Sequence, residues 1–213
     1  MHVIYGGTFD PIHHGHLRLA LEVADALQVE RVDLVPCHIP PHRGSTGATS
    51  AQRLDMIRLA VEGESRLHVD DRELQRAGAS YTADTLRQLR AELGPKRPLV
   101  MVVGTDAFAG FDRWREWREI PELAHIVVVS RPGSALPEAS VASSLYRERP
   151  AETPGDLWQT PAGRILAFDA PLMDISATGI RQRISGGHSP RYLLPDSVLQ
   201  RIHDQGLYGA CPD

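Results

Sequence analysis

At 213 residues, the chain has the length of one domain with room for a small appendage. Its 42% hydrophobic and 23% charged residues exclude wholesale disorder, and a net charge of −4 excludes a protein that coats nucleic acid. The two cysteines, Cys37 and Cys211, are too few for a disulfide framework, and no segment reaches the roughly 18 consecutive apolar residues of a membrane span.

The N-terminus carries neither the charged region nor the long apolar region of a secretory signal, so the expected location is the cytoplasm. His2-Val3-Ile4-Tyr5 is a short apolar run stopped by Gly6-Gly7. From His14 to Leu27, apolar residues recur at Leu17, Ala20, Leu21, Ala24 and Leu27, which is helical spacing. Arg31 to Val35 reads as a second strand, and residues 36–49 as a long Pro-, Gly- and Ser-rich loop. Gln52 to Val61 has Leu54, Ile57 and Val61 at helical intervals, and Leu67 to Val69 is a weak strand. Thr82 can cap a helix with an inner face of Leu86, Leu89 and Leu93, ended by Gly94-Pro95. Leu99–Val103 and His125–Val129 are continuous apolar runs, as expected of strands buried on both faces.

Between Arg131 and Gly163 the pattern dissolves and reads as a variable excursion; Arg164 to Phe168 resumes strand character. Two helices are predicted, near Thr178–Ile184 and Asp196–Gln205. Strands alternating with helices predict an α/β fold: a doubly wound, Rossmann-like, mostly parallel sheet flanked by helices. The domain spans residues 1–213, with a small C-terminal helical part over 175–213. Such sheets bind ligands at the carboxyl ends of their strands, where the strand order reverses.

The strongest signal lies there: Gly6-Gly7-Thr8-Phe9-Asp10-Pro11-Ile12-His13-His14-Gly15-His16-Leu17, running from the first strand into the first helix. Gly6 and Gly7 allow close backbone approach to a ligand, and the helix N-terminus is a natural anion site. His13 and His16, three apart, share one helical face, with Gly15 leaving space beside them. Two imidazoles so placed suit a polyphosphate, each able to donate to an oxygen that gains charge in a transition state. A metal site would want a third ligand, and none is evident; a purely structural capping role is the other alternative. The loop is neither a Walker A motif nor a G-x-G-x-x-G fingerprint.

A second cluster, Ile175-Ser176-Ala177-Thr178-Gly179-Ile180-Arg181, opens a late helix with hydroxyl donors at Ser176 and Thr178 and a fixed cation at Arg181. Three further pieces are Ser80-Tyr81-Thr82-Ala83-Asp84-Thr85, Gly104-Thr105-Asp106 with Trp114 soon after, and Pro40-Pro41-His42-Arg43.

The first loop resembles the nucleotidyltransferase superfamily with the His-x-Gly-His signature, and the late cluster is similar to that superfamily's second motif. Ala177 stands where a serine is commoner. With the three further pieces, the chain resembles the bacterial nicotinate-nucleotide adenylyltransferases over nearly its whole length. The resemblance implies that Gly6, Gly7, Thr8, Phe9, Gly15, Gly104, Asp106, Ile175, Ser176 and Thr178 contact ATP. It implies that His13, His16 and Arg181 act on its phosphates. It further implies that His42, Arg43, Thr82, Thr85, Trp114 and the backbone N–H of Arg115 hold the acceptor, Trp114 by stacking on the pyridine ring. Trp114 and Trp117 can equally be core residues. The implied reaction joins ATP to nicotinate mononucleotide with Mg²⁺ accompanying ATP, without a protein metal site, nucleic acid or membrane partner, in a monomer or small homo-oligomer. Nicotinamide mononucleotide or phosphopantetheine as acceptor, or a non-catalytic nucleotide-binding regulator, are the alternatives.

Overall fold

The computed structural model describes residues 1–39, 46–130, 140–171 and 173–210. The chain starts in the middle of its own sheet. Strand β1 (His2–Gly7) leads into helix α1 (His14–Leu27). Then come β2 (Val32–Pro36), α2 (Ser50–Val61), β3 (Leu67–Val69), α3 (Thr82–Leu93) and β4 (Leu99–Gly104). A short helix α4 (Thr105–Phe108) and α5 (Ile120–Leu123) precede β5 (His125–Ser130). Helix α6 (Val141–Glu148), β6 (Pro150–Ala151), β7 (Ile165–Asp169), α7 (Ala177–Ser185) and α8 (Asp196–Asp204) complete the order.

Among the described residues the sheet has seven strands in the order β3-β2-β1-β4-β5-β7-β6. Each pairing is parallel, so the expected mostly parallel sheet is parallel throughout. The order reverses between β1 and β4, which places the crevice there.

Period-2 alternation splits the strands between two cores. Val3, Val100 and Val102 face one layer, with Met56 and Ile57 of α2, Ile180 and Ile184 of α7, and Val198 and Ile202 of α8. Ile4, Met101 and Val103 face the other, with Leu86 and Leu89 of α3, Ile120 of α5 and Leu145 of α6. The second-signature helix therefore lies on the same face as α1, which brings the early and late clusters to one side of the sheet.

Three expectations need correction. The buried face of α2 is Arg53, Met56 and Ile57, not Leu54, Ile57 and Val61; a charged side chain takes a core position because it has loop carbonyls to satisfy. Thr82 is the first helical residue of α3, and Tyr81 holds the cap position with no side-chain cap bond. The 131–163 stretch is not featureless over its described part. Ser140 caps α6 by accepting from the Ser143 N–H at 3.1 Å, and Trp158, in the 3-10 turn Pro154–Trp158, donates from its indole N–H to Leu27 O at 3.2 Å. Helix α6 is only eight residues long, so its apolar period is too brief to read. Among the described residues no helix is long and apolar enough to cross a membrane.

His125, fully buried at the start of β5, carries a pH prediction. The Arg164 N–H donates to its Nδ1 at 3.0 Å, and its Nε2 lies 2.8 Å from Thr160 O. The ring must therefore be the neutral tautomer that accepts at Nδ1 and donates at Nε2. Burial first, then the Arg90 and Arg164 charges, pushes its pKa below the ordinary 6.5. The unfolded chain thus binds a proton that the folded chain refuses, and stability declines as pH falls below about 6.5. Urea melts between pH 7 and 5 should show this decline reduced in His125→Gln; an unchanged decline would assign it to other groups.

Candidate active site

The first loop is built by small residues and stacked rings. Positions 6 and 104, at the carboxyl ends of β1 and β4, are exposed glycines, and a Cβ on either would meet nothing within 4 Å. They floor an open crevice at the reversal point. Gly7 is sterically required, because a Cβ there would stand 2.8 Å from the Phe9 ring. Phe9 itself is buried, at φ 49, and its ring meets His16 edge-on at 5.0 Å.

His13 occupies the N-cap of α1, with no side-chain cap bond, and is 4% exposed. The imidazoles of His13 and His16 stack with centroids 3.7 Å apart and planes at 23°. The shared face expected from their spacing is thus realised as a packed pair. Gly15 makes room for it: a Cβ there would stand 3.0 Å from His13 Nδ1 and 3.6 Å from Ile175 Cβ. That last contact already brings the second signature against the first.

Asp10 completes the convergence. The Arg181 guanidinium donates to the Asp10 carbonyl at 2.6 Å and, through its other arm, to Thr178 Oγ1 at 3.3 Å. The Asp10 carboxylate, buried, accepts from the Gly47 and Ala48 N–H groups at 2.8 and 3.1 Å and from the Tyr208 hydroxyl at 2.7 Å. Ser176 caps α7 by accepting from the Gly179 N–H at 3.1 Å, which leaves its hydroxyl proton available for donation. Ala177 is the first residue of α7.

From the first loop the rim continues toward α3. Cys37 N–H donates to Gly7 O at 3.0 Å, and His38 N–H to Ser80 Oγ at 2.8 Å. Burial, opposed by Arg53, pushes the Cys37 thiol up, so it stays protonated near neutral pH. The first intrahelical bonds of α3 run from Asp84 and Thr85 N–H to Tyr81 O. The N–H groups of Thr82 and Ala83 precede them in the first turn, at the positive end of the helix dipole. Thr85 is buried; its hydroxyl donates to Glu73 Oε1 at 2.6 Å and accepts from Arg76 at 2.5 Å, so its side chain faces inward.

The Arg115 guanidinium lies 4.7 Å over the Tyr81 ring, which joins the 114–117 segment to α3. Trp114 and Trp117 are both half-buried against Phe111, at 5.3 and 6.2 Å. The Arg118 guanidinium covers Trp117 at 4.4 Å, whereas no cation is stacked on Trp114 among the described residues. The two tryptophans are thereby distinguished on packing alone. Asp106 is exposed in the first turn of α4, beside Gly104. His42 and Arg43 lie outside the described residues.

Sequence reasoning passed over Arg53, Asp10 and Tyr208. Arg53 is fully buried and donates to the carbonyls of Thr8, Cys37 and His38 at 2.6, 2.8 and 2.9 Å. Its signal was available, since position 53 shares a helical face with Met56 and Ile57. Asp10 lies inside the quoted motif. Tyr208 left no local signal, because its partner is at the opposite end of the chain.

A family profile described as cytidylyltransferase-like matches residues 4–183. A protein of Marinobacter nauticus described as a probable nicotinate-nucleotide adenylyltransferase is 70% identical, covering 100% of this chain and 98% of that one. A protein of Cellvibrio japonicus with the same description is 49% identical over 96% of this chain and 97% of its own. Among solved structures, the Plasmodium falciparum nicotinic acid mononucleotide adenylyltransferase complexed with NaAD superposes with a TM-score of 0.73, covering 97% of this chain and 96% of that one. At 16% identity that likeness speaks for the fold.

Proposed function

The chain belongs to the cytidylyltransferase-like family, and from that premise we propose that it transfers the adenylyl group of ATP to nicotinate mononucleotide, releasing pyrophosphate and nicotinate adenine dinucleotide in NAD biosynthesis. The observation that carries this reading is the bond from Arg181 to the Asp10 carbonyl. It draws the late cation to the loop that presents the stacked His13–His16 pair at the reversal point of the sheet.

The 5′-phosphate of the mononucleotide attacks the α-phosphorus of ATP in line. A new P–O bond forms as the bond to the β-phosphate breaks, and pyrophosphate takes the electron pair. The attacking phosphate is already ionised near pH 7, so no general base is required. The work left to the protein is positioning and charge stabilisation. Gly6, Gly7 and Gly104 let the backbone approach the nucleotide, with Thr8, Phe9, Gly15 and Ile175 shaping the loop around it, and Asp106 accepts from ribose hydroxyls. His13 and His16 donate to α- and β-phosphate oxygens, and Arg181, Ser176 and Thr178 hold the departing pyrophosphate. At the other end of the rim, Thr82 and the turn built by Thr85 meet the nicotinate carboxylate. His42 and Arg43 hold the acceptor phosphate.

Mg²⁺ would accompany ATP, held by phosphate and water oxygens, and would offset the charge of the triphosphate. The reaction belongs in the cytoplasm, in a monomer or small homo-oligomer.

Pyrophosphate release measured with nicotinate mononucleotide, nicotinamide mononucleotide and phosphopantetheine in parallel tests the reading. The first should be turned over best; preference for another acceptor reassigns the substrate, and inertness with all three overturns the enzyme reading. Trp114→Ala should raise KM for the mononucleotide about 5- to 10-fold, the loss of one aromatic stack, with little change for ATP. An equal rise for both substrates would count against stacking, and the same effect from Trp117→Ala would reverse the assignment of the two rings.

A further inference from the structure

Tyr208 sits in the C-terminal 3-10 turn Leu207–Gly209, far along the chain from both signatures. Its backbone is at φ 59, ψ 20, the left-handed region that non-glycine residues seldom occupy. Such a conformation persists where surrounding contacts over-determine it. Two contacts do so. The phenol ring lies directly on the backbone at Gly47, where a Cβ would stand 2.7 Å from the ring atoms. The hydroxyl donates to Asp10 Oδ1 at 2.7 Å. Burial, then that bond to Asp10, pushes the hydroxyl's pKa well above its ordinary value, so it remains a donor at any working pH.

What makes the contact more than tail packing is its position behind Arg181. The Asp10 carboxylate is held from three sides, by Gly47 N–H, Ala48 N–H and the Tyr208 hydroxyl. The same residue's carbonyl receives the Arg181 guanidinium at 2.6 Å. Arg181 Nη1 is also 3.9 Å from Asp10 Oδ2, so both the orientation and the charge of Asp10 bear on where the guanidinium rests. The Cδ of Arg181 would be 3.4 Å from a Cβ at position 47, which places Gly47, Tyr208 and Arg181 in one packed group.

We propose that Tyr208 is a positioning residue for the transfer reaction, holding Asp10 through its hydroxyl so that the Asp10 carbonyl fixes Arg181 against the departing pyrophosphate. The inference rests on the adenylyl-transfer reading above. The C-terminal turn is then part of the active-site scaffold, and its effect on catalysis is routed through one guanidinium.

The test is a double-mutant cycle on the full chain, with pyrophosphate release as the assay. Tyr208→Phe keeps the ring on Gly47 and removes only the hydroxyl. It should lower kcat about tenfold, the scale of losing one hydrogen bond to a charged acceptor, with KM for the mononucleotide within about twofold. Arg181→Lys keeps a charge but loses the fork that spans Asp10 and Thr178. In that background Tyr208→Phe should change kcat by less than about twofold, because the group it positions is already displaced. An equal factor in both backgrounds would overturn the inference. So would a wild-type-like kcat in Tyr208→Phe, or a fall in activity matched by the folded fraction in a thermal melt with turnover per folded molecule unchanged. If wild type is active and Arg181→Lys is impaired while Tyr208→Phe is not, this inference alone fails; an inert wild type overturns the transfer reading and this inference with it.

Discussion

Replacing His16 by alanine is expected to lower turnover by roughly 10²–10³-fold, the cost of losing one preorganised donor to a developing charge. The preorganisation is visible in the packing. The ring is stacked on His13 at 3.7 Å and met edge-on by Phe9 at 5.0 Å, so it has little freedom to lose when the triphosphate arrives. On the proposed role, a donor held in this way meets its ordering cost in folding, so that its full interaction is left for the transition state. His16 is only half-buried, so the alanine variant should fold. Steady-state pyrophosphate release together with a thermal melt checks both halves of the expectation. Turnover within about threefold of wild type in a folded variant would remove His16 from the chemistry.

Arg53→Met is expected to cost about 3–5 kcal/mol of stability, as for leaving buried carbonyls without a donor at about 1–3 kcal/mol each. Arg53 is fully buried, and among the described residues its guanidinium meets carbonyl oxygens rather than a carboxylate. Methionine fills the stem's volume but takes the guanidinium donor from the carbonyls of Thr8 and Cys37, and leaves His38 O only the Ser50 hydroxyl at 2.9 Å. For a chain of this length the melting temperature should fall by about 6–20 °C. Because Thr8 lies in the loop proposed to hold the nucleotide and His38 in the rim leading to α3, KM for both substrates should rise together. Arg53→Lys should fall between, since one ammonium cannot reproduce the planar fork. A melting temperature within about 2 °C of wild type in Arg53→Met would show that the loops are held by other means.

The two expectations differ in what the sequence could reveal. His16 stands in a contiguous motif whose chemistry follows from local spacing: a glycine turn, a helix N-terminus and two imidazoles on one face. Arg53 shares a helical face with Met56 and Ile57, but by residue type it reads as a solvated arginine. Only the arrival of three carbonyls from two other loops turns it into a core residue. The same contrast separates the strands from the excursion after β5. Val-rich runs such as Leu99–Gly104 are legible because they are buried on both faces. Helix α6 buries only Ala142, Ser143 and Leu145, too little for its periodicity to stand out.

The substrate end of the site shows an intermediate case. The segment Ser80–Thr85 was recognisable as a helix start, but not the direction of its side chains. Thr85 turns inward to Glu73 and Arg76, and the first intrahelical bonds start at Asp84 and Thr85, after the N–H groups of Thr82 and Ala83. Trp114 and Trp117 are indistinguishable by composition. The Arg118 guanidinium over Trp117, a contact set by backbone direction, separates them.

By itself the sequence determined the alternation of strands and helices, the doubly wound architecture, and the two motif stretches proposed to meet the phosphates. Each of these depends on residues close together in the chain, where hydrophobic period and backbone freedom act locally. The tertiary structure alone decided that Asp10 joins both stretches, that Arg53 belongs to the core and that Tyr208 reaches the first loop. Those contacts depend on chain segments remote in sequence being brought together by the sheet order, and no local pattern encodes where a distant partner will land.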